Sequence, residues 1–229
     1  MWLRRSIFSV TAIGPHRVHQ PEAMVTWLAS LAVALAIGPF VAKRFILLGE
    51  HGYGTWLTID YMARCVSLVG IVLGFRSGLL VRSTPRAGVV VCLFVLLVLV
   101  TAELAEQAVV YPILRHYFRI LELYSTPLIP DAHVRAADLL LGLVLVAVSE
   151  ELVFRRFLFA LLERWCKKGL TIILMSSTIF ALIHFTSGIA DTLNAFVHGM
   201  LLGSAFWKTR RVSVCIASHY LVDLWIFAR

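Results

Sequence analysis

Apolar runs separated by short polar or basic clusters fill nearly the whole chain of 229 residues. A bilayer core of about 30 Å calls for about 20 apolar residues in a helix, and most of the runs are near that length. The first is Met24 to Ala42, stopped by Lys43-Arg44, and residues 49–55 then form a turn-rich loop. The second is Trp56 to Val81, and the third, Ala87 to Tyr111, is almost wholly aliphatic from Val89 to Val100. Residues 112–135 carry Pro112, Pro127 and Pro130 and form the longest loop. A fourth helix runs from about Ala136 to Trp165 and ends at the basic turn Lys167-Lys168-Gly169. The last three are Leu170 to Phe185, Ala190 to Trp207 and Val212 to Ala228. The pattern predicts an all-α fold, a polytopic membrane helical bundle of about seven transmembrane helices. Residues 1–23, with Arg4, Arg5 and Arg17, read as a cytoplasmic or interfacial segment, and 24–229 as a single integral membrane domain. No internal repeat or low-complexity tract stands out.

Composition agrees with that picture. The chain is 60% hydrophobic and 15% charged, against about 45–50% and about 25% in a soluble domain. Its net charge of +8 comes from basic clusters between apolar runs rather than from one basic face, which argues against a nucleic-acid partner and for membrane lipids. Thirteen basic residues fall on the side of the N-terminus and six on the other, which places the N-terminus inside and the C-terminus outside. Cys65, Cys92, Cys166 and Cys215 lie in or beside apolar runs without metal-ligand spacing, and read as small apolar residues.

One polar stretch breaks the most apolar run of the second half. Ser149-Glu150-Glu151-Leu152-Val153-Phe154-Arg155-Arg156 directly follows ten residues suited to hydrocarbon. A charge at the centre of a membrane helix costs about 3 kcal/mol, so adjacent carboxylates there mark a functional site once partners are named. Arg155 follows Glu151 by one helical turn and pairs with it. Glu150 lies on a different face and is unpaired within its own helix. His184, on the fifth helix, follows the Lys167-Lys168 turn by about as many residues as Glu150 precedes it, which sets the two at similar depth. His219 and Asp223 lie one turn apart on the seventh helix, and Asn194 and His198 on the sixth, the latter two either lining a cavity or bridging helices. Ala195, Gly199 and Gly203 share the sixth helix at a spacing that permits close helix approach. Asp60 and Arg64 read as an ion pair neutralised at the interface, and Glu103 and Glu106 as solvated interfacial charge.

Glu150-Glu151-x-x-x-Arg155, Phe180-x-x-x-His184 and His219-x-x-x-Asp223, in that order, resemble the motifs of the CPBP family. These are the CAAX prenyl protease and bacteriocin-processing (Abi) glutamic intramembrane proteases. The resemblance covers about residues 136–229, the expected catalytic core, and the first three helices match nothing specific. It implies that Glu150 and His184 activate the attacking water and that Glu151 and Arg155 hold the motif helix. It also implies that His219 with Asp223 forms the oxyanion site. The family's last motif often ends in Asn, and Asp223 departs from that form. A multi-pass protein of the bacterial inner (plasma) membrane is implied as well.

The residues themselves support hydrolysis by water, which needs a base and donors at the developing oxyanion. No His-Glu-x-x-His helix is present and Arg155 disfavours a cation close by, so no metal or other cofactor is expected. The substrate class stays open between a lipidated C-terminus, a leader peptide and a C-terminal sorting signal. A non-catalytic immunity or scaffolding protein of the same fold, or a proton-coupled transporter, are the competing readings.

Overall fold

The computed structural model describes residues 22–48, 51–78, 84–118 and 127–228. The N-terminal segment, residues 1–21, and parts of the connections lie outside the described residues. Seven helices follow one another, and no strand occurs among the described residues. They are α1 (Glu22–Ile46), α2 (Tyr53–Arg76), α3 (Val89–Tyr117), α4 (132–165), α5 (Gly169–Leu182), α6 (Ile189–Thr209) and α7 (Val212–Phe227). The all-α membrane bundle read from the sequence is the fold observed.

The surface is inverted relative to a soluble protein. Val90 is 80% exposed and Leu141 73%, whereas Glu103, Glu151 and Arg155 are fully buried. Only a hydrocarbon surround makes that arrangement favourable, because in water so extended an apolar surface would be covered. α1, α2 and α3 are long and apolar enough to cross a membrane. α5 and α7 have 14 and 16 residues, shorter than the roughly 20 residues a full crossing takes.

Packing follows from one-turn periodicity. Ala32, Ala36, Phe40 and Lys43 form the buried stripe of α1. Asp60, Arg64, Ser67, Gly70, Ile71 and Gly74 form that of α2. Gly70 lies directly against the α1 backbone at Leu35 and Ala36, where a Cβ has no room. The two helices form a tight hairpin. Gly199 and Gly203 of α6 play the same part against Ser177 and Ile173 of α5, as their spacing implies.

Several boundaries differ from the sequence reading. α3 passes Pro112 and runs to Tyr117, because a π-helical turn at Glu106–Val110 absorbs the ladder bond that the proline cannot make. α4 starts at Ala132, capped by Asp131, whose side chain accepts the Val134 N–H at 2.8 Å. α5 ends at Leu182, three residues earlier than the apolar run suggests. The chain then makes a short 3-10 turn at Phe185–Ser187 and enters α6 through Gly188, whose φ of 108° only glycine adopts without strain.

Candidate active site

The organising stretch sits where α4 widens. Glu150 and Glu151 end a regular α-helical segment, and a π-helical turn at Leu152–Phe157 follows at once. Such turns concentrate at functional sites because they re-aim side chains within a continuous helix. The carbonyl of Phe154, inside this turn, accepts the Ser176 hydroxyl of α5 at 3.0 Å.

Glu151 and Arg155 pair as the spacing implied, Nε to Oε2 at 3.1 Å, both fully buried. The contact is ionic rather than an aligned hydrogen bond. The guanidinium lies instead 4.7 Å over the Phe180 ring, in a cation–π contact. Phe180 is the hub of an aromatic cluster, edge-on to Phe154 at 5.1 Å and tilted against His184 at 4.9 Å and His198 at 6.2 Å.

Glu150 finds its cation on a helix the sequence reading had set aside. Arg64 of α2 donates from Nη1 to Glu150 Oε1 at 2.8 Å and to Ser149 Oγ at 3.2 Å. Arg64 Nε donates to Asp60 Oδ2 at 2.6 Å, and Lys43 of α1 pairs with Asp60 Oδ1. The Asp60–Arg64 ion pair forms one turn apart, as its spacing implied. It is buried, and its cation is shared with the motif carboxylate.

α7 delivers His219 into the carboxylates. Its Nδ1 is 2.9 Å from Glu151 Oε1, and its Nε2 is 3.4 Å from Asp223 Oδ2 and 4.0 Å from Glu150 Oε2. Since an ionised carboxylate only accepts, Nδ1 donates to Glu151. His219 therefore ties the third motif to the first directly.

His184 does not stand on α5. It lies just past the helix end, at φ −100° and ψ 4°, the sparsely populated bridge region where many active-site residues sit. Its Nδ1 is 2.9 Å from the Phe180 carbonyl, a group that can only accept, so Nδ1 carries the proton and Nε2 keeps its lone pair. The ring caps a helix-terminal carbonyl and fixes its own tautomer in one contact.

A third carboxylate joins from α3. Glu103, read as solvated charge, is fully buried; its Oε2 accepts the Ser218 hydroxyl at 2.6 Å and its Oε1 is 3.6 Å from His198 Nδ1. Glu106 is buried as well. A π-helical turn at Glu106–Val110 carries α3 on beyond these positions to Tyr117. His198 stands edge-on to His219 at 5.0 Å, so of the sixth-helix pair it joins the cluster. Asn194 is half-buried, and its Oδ1 has no hydrogen-bond partner among the described residues.

Lys43, Asp60, Arg64, Glu103 and Ser218 are the members of this cluster that sequence reasoning missed. One signal pointed to Arg64: an unpaired buried Glu150 demands a cation, and Arg64 is a basic residue inside an apolar run of another helix.

With this geometry in place, comparison with known proteins agrees with the motifs. Residues 132–225 match the family model described as type II CAAX prenyl endopeptidase Rce1-like. Over those residues, less than half of its length, the chain is similar to that family, in agreement with the motifs that resemble the CPBP family. No curated protein and no solved structure matches it. The matched segment begins with α4, so the α1–α2 hairpin that reaches Glu150 lies outside it.

Proposed function

We propose that this membrane protein is a glutamate-dependent intramembrane endopeptidase acting on a membrane-associated protein or peptide. The observation that carries the reading is the state of Glu150. One of its oxygens is held by Arg64, while the other faces His219 at 4.0 Å, outside direct hydrogen-bond range. That second oxygen is the base. It takes a proton from water as the water oxygen attacks the scissile carbonyl, and the carbonyl π electrons move onto oxygen. His219, its Nδ1–H held by Glu151, donates from Nε2 to this oxyanion, and Asp223 at 3.4 Å from Nε2 favours the charged ring. The carbonyl then re-forms, the C–N bond breaks, and the leaving nitrogen takes a proton passed on through Glu150 and His184. Glu151 and Arg155 hold the motif helix, and Asn194 and His198 flank the cavity on α6.

Arg64 also bears on cofactors. A guanidinium 2.8 Å from Glu150 competes with any divalent cation there, which supports water activation by the carboxylate alone. The excess of basic residues on one side supports an N-terminus inside; the bacterial inner membrane is the location that the family resemblance implies. The family description supports a prenylated C-terminus as the first substrate class to test.

The purified protein in liposomes is incubated with three peptides: a farnesylated CAAX C-terminus, a leader peptide and a C-terminal sorting signal. Mass spectrometry then seeks a new terminus. Cleavage of one peptide, lost in Glu150→Gln, is the expected result. Intact peptides in all three cases favour the non-catalytic reading.

A further inference from the structure

We propose that Arg64 is the positioning residue of Glu150, so that the α1–α2 hairpin, outside the matched domain, completes the active site. The proposal rests on the catalytic reading of Glu150 given above. A carboxylate has two equivalent oxygens, and a base works best when one is committed elsewhere and the other aimed at its proton. Arg64 makes that division: Nη1 binds Oε1 at 2.8 Å and leaves Oε2 on the side of His219.

The guanidinium is itself held from two edges. Nε is fixed by Asp60 at 2.6 Å one helical turn back, and Nη1 is shared with Ser149 Oγ at 3.2 Å. A planar fork bound on two edges has little freedom left, which a lysine ammonium cannot reproduce. Lys43 completes the arrangement. By binding the other oxygen of Asp60 it weakens the hold of that carboxylate on Arg64, and so leaves the guanidinium available to Glu150. The order Lys43, Asp60, Arg64, Glu150 alternates in charge across three helices and is buried throughout. A pair that only neutralised the charge of Glu150 needs neither the second edge nor Lys43.

Wild type, Arg64→Met, Arg64→Lys, Lys43→Met and Glu150→Gln are compared in liposomes on the farnesylated CAAX peptide, with melting followed in parallel. Arg64→Met is expected to lower kcat about 100-fold, the scale of a roughly 1 Å misplacement, with KM within about 3-fold of wild type. Arg64→Lys is expected to recover about 10-fold of that loss, and Lys43→Met to cost about 10-fold. Wild-type kcat in folded Arg64→Met overturns the proposal, as does a loss that Arg64→Lys leaves unrelieved. Where Arg64→Met does not fold, wild-type kcat in Arg64→Lys overturns it.

Cleavage by Glu150→Gln overturns the glutamate mechanism instead, so the two failures are distinct. If wild type leaves the peptide intact, the melting cycle decides. Non-additive losses for Arg64→Lys and Glu150→Gln support the coupling, and strictly additive ones overturn it.

Discussion

The matched segment, α4 to α7, and the three helices before it build their share of the buried cluster in opposite ways. In α4–α7 the polar residues come as sequence motifs, and Glu151 with Arg155, His219 with Asp223 and His184 with the Phe180 carbonyl find partners one turn away, whereas Glu150 has none on its own helix. In α1–α3 they lie along apolar stripes, Lys43 and Glu103 singly and Asp60 with Arg64 one turn apart. Local pairing makes the first group readable. In the second group Arg64 and Glu103 reach helices more than 80 residues away, Arg64 through Glu150 and Glu103 through Ser218. The contrast suggests a division of labour in which the second half carries the reacting groups and the first half orients and neutralises them.

The largest effect is expected at Glu150, the proposed base. Glu150→Gln keeps the shape and loses the base, and cleavage should fall about 1000-fold or more while the protein still inserts. Near wild-type cleavage by the purified variant would remove Glu150 from the chemistry, and with it the distinction between the two halves.

Next comes the locally paired couple of the second half, Glu151 with Arg155. Arg155→Ala or Glu151→Ala each leaves a buried charge unpaired and should cost about 3–5 kcal/mol of stability, whereas the double variant should cost less than the sum. Detergent melting of the four proteins reads this directly, and additive losses would count against the pair. Glu151 also holds His219, so its single variant should lose activity beyond its loss of folded protein.

The first half is probed by Ser218→Ala. It removes the donor at 2.6 Å from the fully buried Glu103 and should cost about 1–3 kcal/mol, with kcat per folded molecule nearly unchanged. A large drop in kcat without a drop in melting temperature would place Glu103 among the reacting groups and blur the division.

Asp223 gives a smaller effect. At 3.4 Å from His219 Nε2, it acts through that ring rather than on substrate. Asp223→Asn keeps an acceptor there and should retain activity within about 10-fold, while Asp223→Leu should lose more. Equal activity in both variants would mean that Asp223 does not tune His219. The smallest effect is expected from strong chelators, which should leave the rate unchanged. A loss restored by added zinc would overturn water activation by the carboxylate alone.

From the order of residues alone followed whatever rests on local periodicity. Apolar run lengths determined the membrane bundle and its seven helices, and the one-turn rule determined the Glu151–Arg155 and His219–Asp223 contacts. Both need only the fixed rise and pitch of a helix. Tertiary structure decided the rest. It turned the wide turn of α4 toward α2, α5 and α7, and moved His184 off the end of α5. It also made buried counterions of Lys43, Asp60 and Arg64 and drew Glu103 inside. The physical reason is that a lone charge on an apolar helix carries no mark of its depth or of the face it shares. Its partner is set by helix packing, here by Gly70 against the α1 backbone and Gly199 against α5, and packing joins residues that no local spacing relates.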